Sequence, residues 1–296
     1  MNKKKCNYIL FLTICLFGCF ARQELRQPDI VEQISIVKPP IGAIPLEWNG
    51  GEEAILYEMT IYDSIKFKVI VDSGVSSFLF DSTYFAKLGF GCDNRNVFIT
   101  RSPFGGKINT YLPSKKLDIS PFSALNSFQI RMLNLSKLEI DTTDIKGLIP
   151  LTAFSQEIIQ INLKDRYILP LDSVIDDSYI KLPIEVDLRI SHTPIVTLNM
   201  QIIKDGVPFY IDGKFQVDYG YMGYIGINYK KMDDQLFSQR RDTVTVSFNG
   251  ITKDSIQIDM EPVIDEYAGF LGVQFLAMFD VIIDYKEKYL YLKSNI

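Results

Sequence analysis

The residues best placed to do chemistry in this chain are two aspartates, each ending an apolar run and each followed two positions later by glycine: Phe67-Lys-Val-Ile-Val-Asp72-Ser-Gly74 and Phe215-Gln-Val-Asp218-Tyr-Gly220. Glycine lets a backbone turn tightly and approach a neighbour closely. Two such turns can bring carboxylates face to face, and like charges about 3 Å apart cannot both ionise, so one proton is shared. The ionised carboxylate then serves as general base on a water, while its protonated partner hydrogen-bonds the carbonyl under attack. The apolar approach to each aspartate supplies the desolvation that holds that proton at mildly acidic pH. A lone Asp-Ser-Gly is usually only a surface turn, since those residue types dominate turns generally. The duplicate raises this one above that background.

Other chemistries lack parts. The chain has one histidine, His192, and of its four cysteines only Cys92 lies beyond the first 19 residues. A zinc site would need nitrogen or sulfur ligands that are missing. A Cys92/His192 nucleophilic pair is conceivable, but an isolated Cys and an isolated His are usually packing or surface residues. No Gly-rich phosphate loop is present. Neither a metal nor a cofactor is therefore expected. Trp48 and the sixteen tyrosines invite a carbohydrate-binding reading, because aromatic faces stack on sugars. Most of them fall at strand positions, where core or cross-strand packing accounts for them. A glycosidase would hold its two carboxylates roughly 5 to 10 Å apart, so near contact of Asp72 and Asp218 distinguishes the two chemistries.

The elements that must position these aspartates read as strands. From about Ile41 the chain consists of short runs rich in Ile, Val, Phe, Tyr and Thr, broken by Asn-Gly, Asp-Gly, Gly-Gly and Pro, an all-β signature with many hairpins. Glu185 to Ile190 alternates strictly, and Thr243 to Phe248 runs into Asn249-Gly250, a strong two-residue turn. A strand at Ile195 to Ile203, the turn Asp205-Gly206 and a further strand interrupted at Asp212-Gly213 lead up to Asp218. Helix is limited to pieces near Asp81 to Leu88 and Leu276 to Met278.

An internal repeat organises the chain. Gly147-Leu-Ile-Pro-Leu-Thr-Ala-Phe154 with Ile158 to Tyr167 matches Gly269-Phe-Leu-Gly-Val-Gln-Phe-Leu276 with Asp280 to Tyr289 at a constant offset of 122 residues, placing Asn162 over Asp284 and Tyr167 over Tyr289. The aspartate turns are 146 apart, so the first half carries about 24 more residues between its turn and its closing block.

This pairing of an apolar-Asp-x-Gly turn with a downstream Gly-Phe-Leu-Gly-x-x-Phe-Leu...Asp-Tyr-Lys block resembles the retropepsin-like aspartic peptidase superfamily, in the two-repeat form found in bacterial lipoproteins. The resemblance covers roughly residues 44 to 293. It implies two similar pepsin/retropepsin-like β-barrel lobes with an interlobe cleft, residues 41–170 and 171–296, and Asp72 and Asp218 as the catalytic pair of an endopeptidase hydrolysing extended peptides. By the same resemblance Ser73 stands for the family's Thr, whose hydroxyl cross-links the two turns, Gly74 and Gly220 allow their close approach, and Ser76 or Ser77 supplies a hydroxyl that steadies Asp72. Tyr219 departs from the pattern, because a phenol cannot reproduce that short-range network. Pro150, where the second block has Gly272, is a smaller departure. The segment Val97 to Tyr111 reads as a hairpin turning at Phe104-Gly105-Gly106, which the resemblance makes the flap over a bound peptide, with added-strand pairing as the mode of recognition. Departure at Tyr219 keeps a second reading open, a non-catalytic peptide- or glycan-binding envelope lipoprotein on the same scaffold.

The N-terminus bears on where this would happen. Lys3-Lys-Lys5 and the apolar run ending Leu16-Phe-Gly-Cys19 have the charged and hydrophobic regions of a secretory signal, and the run is short for a bilayer span. The ending resembles a bacterial lipobox, which implies that residues 1–18 are removed, that Cys19 is lipidated and that residues 19–40 form a tether. Phe20 after Cys19 favours an outer-membrane destination. Removing residues 1–18 deletes three lysines and no acids, moving the formal charge from −5 to −8. So acidic a body has no general affinity for nucleic acid. The expected partners are a peptide or protein substrate and a membrane reached through the lipid anchor alone, and the expected state is a monomer.

Overall fold

The computed structural model describes residues 39–295 apart from 52, 63, 102–106, 116, 118, 121–128, 139, 141–142, 156, 175, 188–190, 232–240 and 264–265. The leader, Cys19, nearly all of the tether and the Phe104-Gly105-Gly106 tip lie outside those residues. Lys38–Ile296 forms one compact unit.

Strands dominate it. The first half holds β1 (Ile44–Pro45), β2 (Leu56–Ile61), β3 (Ile65–Asp72), β4 (Phe78–Asp81), helix α1 (Ser82–Lys87), β5 (Cys92–Arg101), β6 (Lys107–Pro113), β7 (Ile119–Ser120), β8 (Ile130–Leu133), β9 (Ile145–Pro150), β10 (Ile158–Asn162) and β11 (Tyr167–Leu171). The second holds β12 (Ile180–Asp187), β13 (Ser191–Lys204), β14 (Val207–Val217), β15 (Ile225–Asn228), β16 (Arg241–Phe248), β17 (Ile251–Glu261), β18 (Gly269–Leu271), helix α2 (Val273–Leu276), β19 (Phe279–Asp284) and β20 (Tyr289–Ser294).

Turn chemistry sets the hairpins. Asn249 and Gly250 both have positive φ, 47° and 80°, as do Asp205 and Gly206, 50° and 80°, the double left-handed turn whose twist suits a two-residue hairpin. The expected break at Asp212-Gly213 is absent: β14 runs through it, paired along its length with β13. Gly213 is there because Ala268 crosses close by, and a Cβ at 213 would lie 2.9 Å from the Ala268 Cβ.

The two halves repeat one topology. β3 pairs parallel with β9 and β14 parallel with β18; β4 lies antiparallel to β9 and β15 antiparallel to β18; β4 runs parallel to β8 and β15 parallel to β17. In the second half β13, β14, β18, β15, β17 and β16 close into a ring, because β16 returns to β13. The first half runs β5-β6-β8-β4-β9-β3-β2-β7.

A shared sheet, β1-β11-β10-β19-β20-β12, joins the halves. In it β10 lies antiparallel to β19 with Ile158 opposite Asp284, Gln160 opposite Ile282 and Asn162 opposite Asp280. Gln160 and Ile282 are counterparts at the 122-residue offset, so a local two-fold passes between them. The hairpins on either side are the same device: Asn162 Oδ1 accepts from the Asp165 N–H and Asp284 Oδ1 from the Glu287 N–H, both at 2.8 Å. Arg166 and Lys288 both adopt φ of 60°. One face of this sheet, through Ile159, Ile161, Val281 and Ile283, joins the main core, whose Val71 and Val217 come from the strands that lead to the aspartates. Burying those strands drives the two turns toward each other.

Candidate functional site

Asp72 is the last residue of β3 and Asp218 follows β14 directly. The main chain of each continues its ladder, with the Asp218 N–H donating to the Leu271 carbonyl at 2.9 Å. Both side chains are buried, 9% and 7% exposed, and both turns close on their own carboxylate. The Gly74 N–H donates to Asp72 Oδ1, and the Gly220 N–H donates to Asp218 Oδ1 at 2.8 Å.

The carboxylates lie against each other's turns. A Cβ on Gly220 would stand 2.6 Å from Asp72 Cγ and Oδ2, and a Cβ on Gly74 would stand 3.4 Å from Asp218 Oδ1 as well as 3.0 Å from Asp72 Oδ1. Only glycine leaves room for that crossing. Burial, followed by the charge of Asp218, pushes the Asp72 carboxyl far above its ordinary range, against the pull of the Gly74 N–H. Burial likewise raises Asp218, offset by the main-chain N–H groups of Gly220 and Tyr221. The main physical cause is burial of both carboxyls in a water-poor space, joined at Asp72 by the charge of Asp218.

Ser73 crosses between the halves. Its hydroxyl donates to the Val217 carbonyl at 2.7 Å and accepts from the Tyr219 N–H at 2.9 Å, with the side chain buried. Tyr219 does not return that crossing. Its ring enters the main core, 1% exposed, and its hydroxyl has no partner among the described residues. Among the described residues the second turn is thus tied to the first through its main chain. Ser76 is exposed and Ser77 buried; neither hydroxyl bonds the Asp72 carboxylate among the described residues.

Behind each turn a buried side chain caps the next segment of chain. Asp81 Oδ1 accepts from the Tyr84 N–H at 2.7 Å, opening α1, and its Oδ2 accepts from the Leu135 N–H at 3.1 Å. Asn228, at the matching end of β15, accepts from the Lys230 N–H and donates to the Tyr267 carbonyl, both at 3.1 Å.

Sequence reasoning missed Tyr221. Its ring stacks on Phe270 at 5.5 Å, and its hydroxyl lies 3.2 Å from Asp259 Oδ2 and 3.4 Å from Glu261 Oε1. Asp259 is also held by Arg241 Nε at 2.7 Å. Burial, then Asp259 and Glu261, raises the Tyr221 phenol well above its ordinary value. The available signal was the spacing of Gly223, Gly226 and Gly272, which clear the ring's path.

β5 and β6 pair as the expected hairpin, Arg101 opposite Lys107. Cys92 opens β5, and burial raises its thiol, the wrong direction for a nucleophile. Among the described residues no three His, Cys, Asp or Glu side chains are grouped to hold a metal ion. No protein-family model matches the chain, and no curated protein matches it at a significant level.

Proposed function

We propose that this chain is an exported aspartic endopeptidase of the two-repeat retropepsin-like kind, with two pepsin-like lobes meeting at Asp72 and Asp218. The observation that carries the reading is the crossing of the two turns, which leaves the carboxyl of Asp72 against Gly220 and that of Asp218 against Gly74. A Cβ on Gly74 would lie within 3.4 Å of a carboxylate oxygen of both aspartates, so the two carboxyls face one small space. It suits one shared proton.

Each carboxylate accepts one main-chain N–H, Asp72 from Gly74 and Asp218 from Gly220, and the charge of Asp218 raises Asp72, so the shared proton is assigned to Asp72 and the negative charge to Asp218. Asp218 takes a proton from water as the oxygen attacks the scissile carbonyl, while Asp72 donates its hydrogen bond to that carbonyl oxygen. Collapse of the tetrahedral intermediate breaks the C–N bond, and the proton held on Asp218 passes to the leaving amine. The chemistry uses no covalent enzyme intermediate. An extended peptide would lie in the cleft under the β5–β6 hairpin, pairing by its backbone. Residues 1–18 would be removed and Cys19 lipidated, holding the protein in the cell envelope at an outer membrane.

The one-sided crossing at Ser73 favours a second reading, a non-catalytic peptide-binding lipoprotein on the same scaffold. Cleavage of a peptide library between about pH 3 and 8 by the mature protein and by Asp72→Asn and Asp218→Asn separates the two. Cutting by the wild type and by neither variant is expected. A wild type that cuts nothing, or variants that cut as well, would overturn the peptidase reading.

A further inference from the structure

Tyr221 stands three residues after Asp218, part-exposed, with its main-chain N–H donating to the Asp218 main-chain carbonyl at 3.2 Å. Its counterpart after Asp72, at the 146-residue offset of the turns, is Val75. The exchange is not confined to one position. A Cβ on Gly272 would lie 2.5 Å from Tyr221 Cδ1, one on Gly223 2.8 Å from Cε1, and one on Gly226 3.1 Å from Cζ and Oη. The counterparts of these glycines are Pro150 in the closing block, Ser77 after the turn and Leu79 by the pairing of β4 with β9 and β15 with β18. Three side chains on the Asp72 side have been traded for one aromatic ring on the Asp218 side.

The faces around them diverge as well. On the Asp72 side Ile70, Leu79 and Leu148 form a small apolar cluster with Val75 packed on it. The corresponding places on the Asp218 side hold Gln216, Gly226 and Phe270, and the ring of Tyr221 lies against Gly226 and Phe270, tied at its hydroxyl to Asp259 and Glu261. A ring stacked on one face, hemmed by glycine on the others and anchored at its tip cannot swing aside without losing all of these contacts at once.

We infer that Tyr221 is a specificity-determining residue, filling the space in which a substrate side chain beside Asp218 would otherwise sit, so that this side accepts small residues and the Val75 side accepts large ones. The inference rests on the peptidase reading. A hydrophobic pocket discriminates by about 10- to 200-fold when its volume changes by one or a few carbons, so the effect is measurable.

The test is binding rather than turnover. Peptides with a central non-cleavable hydroxyethylene unit, carrying Ala, Leu or Phe at each flanking position in turn, are titrated calorimetrically into wild type, Tyr221→Val, Tyr221→Leu and Tyr221→Phe, with circular dichroism to establish folding. Wild type and Tyr221→Phe should prefer Ala over Phe by at least about 10-fold at one flanking position. Tyr221→Val, which installs the residue found beside Asp72, should lose or reverse that preference at this position only, and Tyr221→Leu gives the same readout if the valine variant does not fold. A Tyr221→Val or Tyr221→Leu profile identical to wild type overturns the inference while leaving the peptidase reading in place. Failure of every protein to bind any of these peptides removes both.

Discussion

Around Asp72 the turn is tied across the molecule by a side chain, Ser73, whereas around Asp218 the matching side chain, Tyr219, departs into the core and leaves only its N–H to take part. The strands beneath the two turns pair with the same neighbours in the same directions. Topology therefore brings the carboxylates together, and the crossing hydroxyl trims the fit. A repeat can lose one of two symmetric crossings and keep each carboxylate against the other's turn, because burial of β3, β14 and the shared sheet already sets where each turn ends.

The comparison breaks most sharply at the two glycines. Gly220→Ala places a Cβ 2.6 Å from the Asp72 carboxyl, buried where nothing yields easily, while Gly74→Ala places one no closer than 3.0 Å to any carboxylate oxygen. Displacing a reacting group by about 1 Å can cost about 100-fold in rate. Gly220→Ala is therefore expected to lower the kcat/KM of the proposed peptidase by about that factor or more, and Gly74→Ala to do less. Equal losses in steady-state assays would show that the crossing is not as unequal as the close approaches indicate.

Ser73→Ala comes next. It strands the buried Tyr219 N–H and takes a donor from the Val217 carbonyl, and each orphaned group costs about 1–3 kcal/mol. Stability should fall by roughly 2–4 kcal/mol in denaturant titration, with Ser73→Thr close to wild type. A drop below about 1 kcal/mol would mean that topology alone holds the turns together.

Much of the architecture is legible in the sequence. The alternating runs and Asn-Gly turns announce the strands, and the offset of 122 places Asn162 over Asp284, which make the same hydrogen bond in matching hairpins. Asp212-Gly213 misleads, because a pair that usually marks a turn here serves the close passage of Ala268. The repeat asks the Tyr219 side chain to enter the network between the turns. The chain instead satisfies that network with main chain and uses the side chain as core, a tertiary choice no local pattern encodes. The slot for Tyr221 is only half legible for a similar reason, since Gly223 and Gly226 lie close by in sequence but Gly272 reaches the ring from the closing block.

Protonation offers a gentler probe of the pair. Burial and the Asp218 charge raise Asp72 from 3.8 to about 8. A carboxyl raised in the folded state keeps a proton that the unfolded chain gives up, so its stabilising contribution is complete below about pH 4 and is lost as pH climbs toward 8. Asp72→Asn removes that loss. The variant should gain on wild type in Tm steadily as pH rises from 4 to 8. Parallel Tm profiles for the two proteins would mean that the carboxyls do not share a proton.

The smallest expected effect is the most direct measure of the asymmetry. Tyr219→Phe deletes a hydroxyl that is buried and has no partner among the described residues, and leaves untouched the N–H that meets Ser73. An unpaired buried hydroxyl is a cost to the folded state, so its removal should be neutral or stabilising by up to about 1 kcal/mol. Ser73→Ala and Tyr219→Phe thus delete one hydroxyl each from counterpart positions and should move stability in opposite directions. If Tyr219→Phe instead destabilises by as much as Ser73→Ala, the phenol has a partner of its own in solution, and the second turn is tied by a side chain after all.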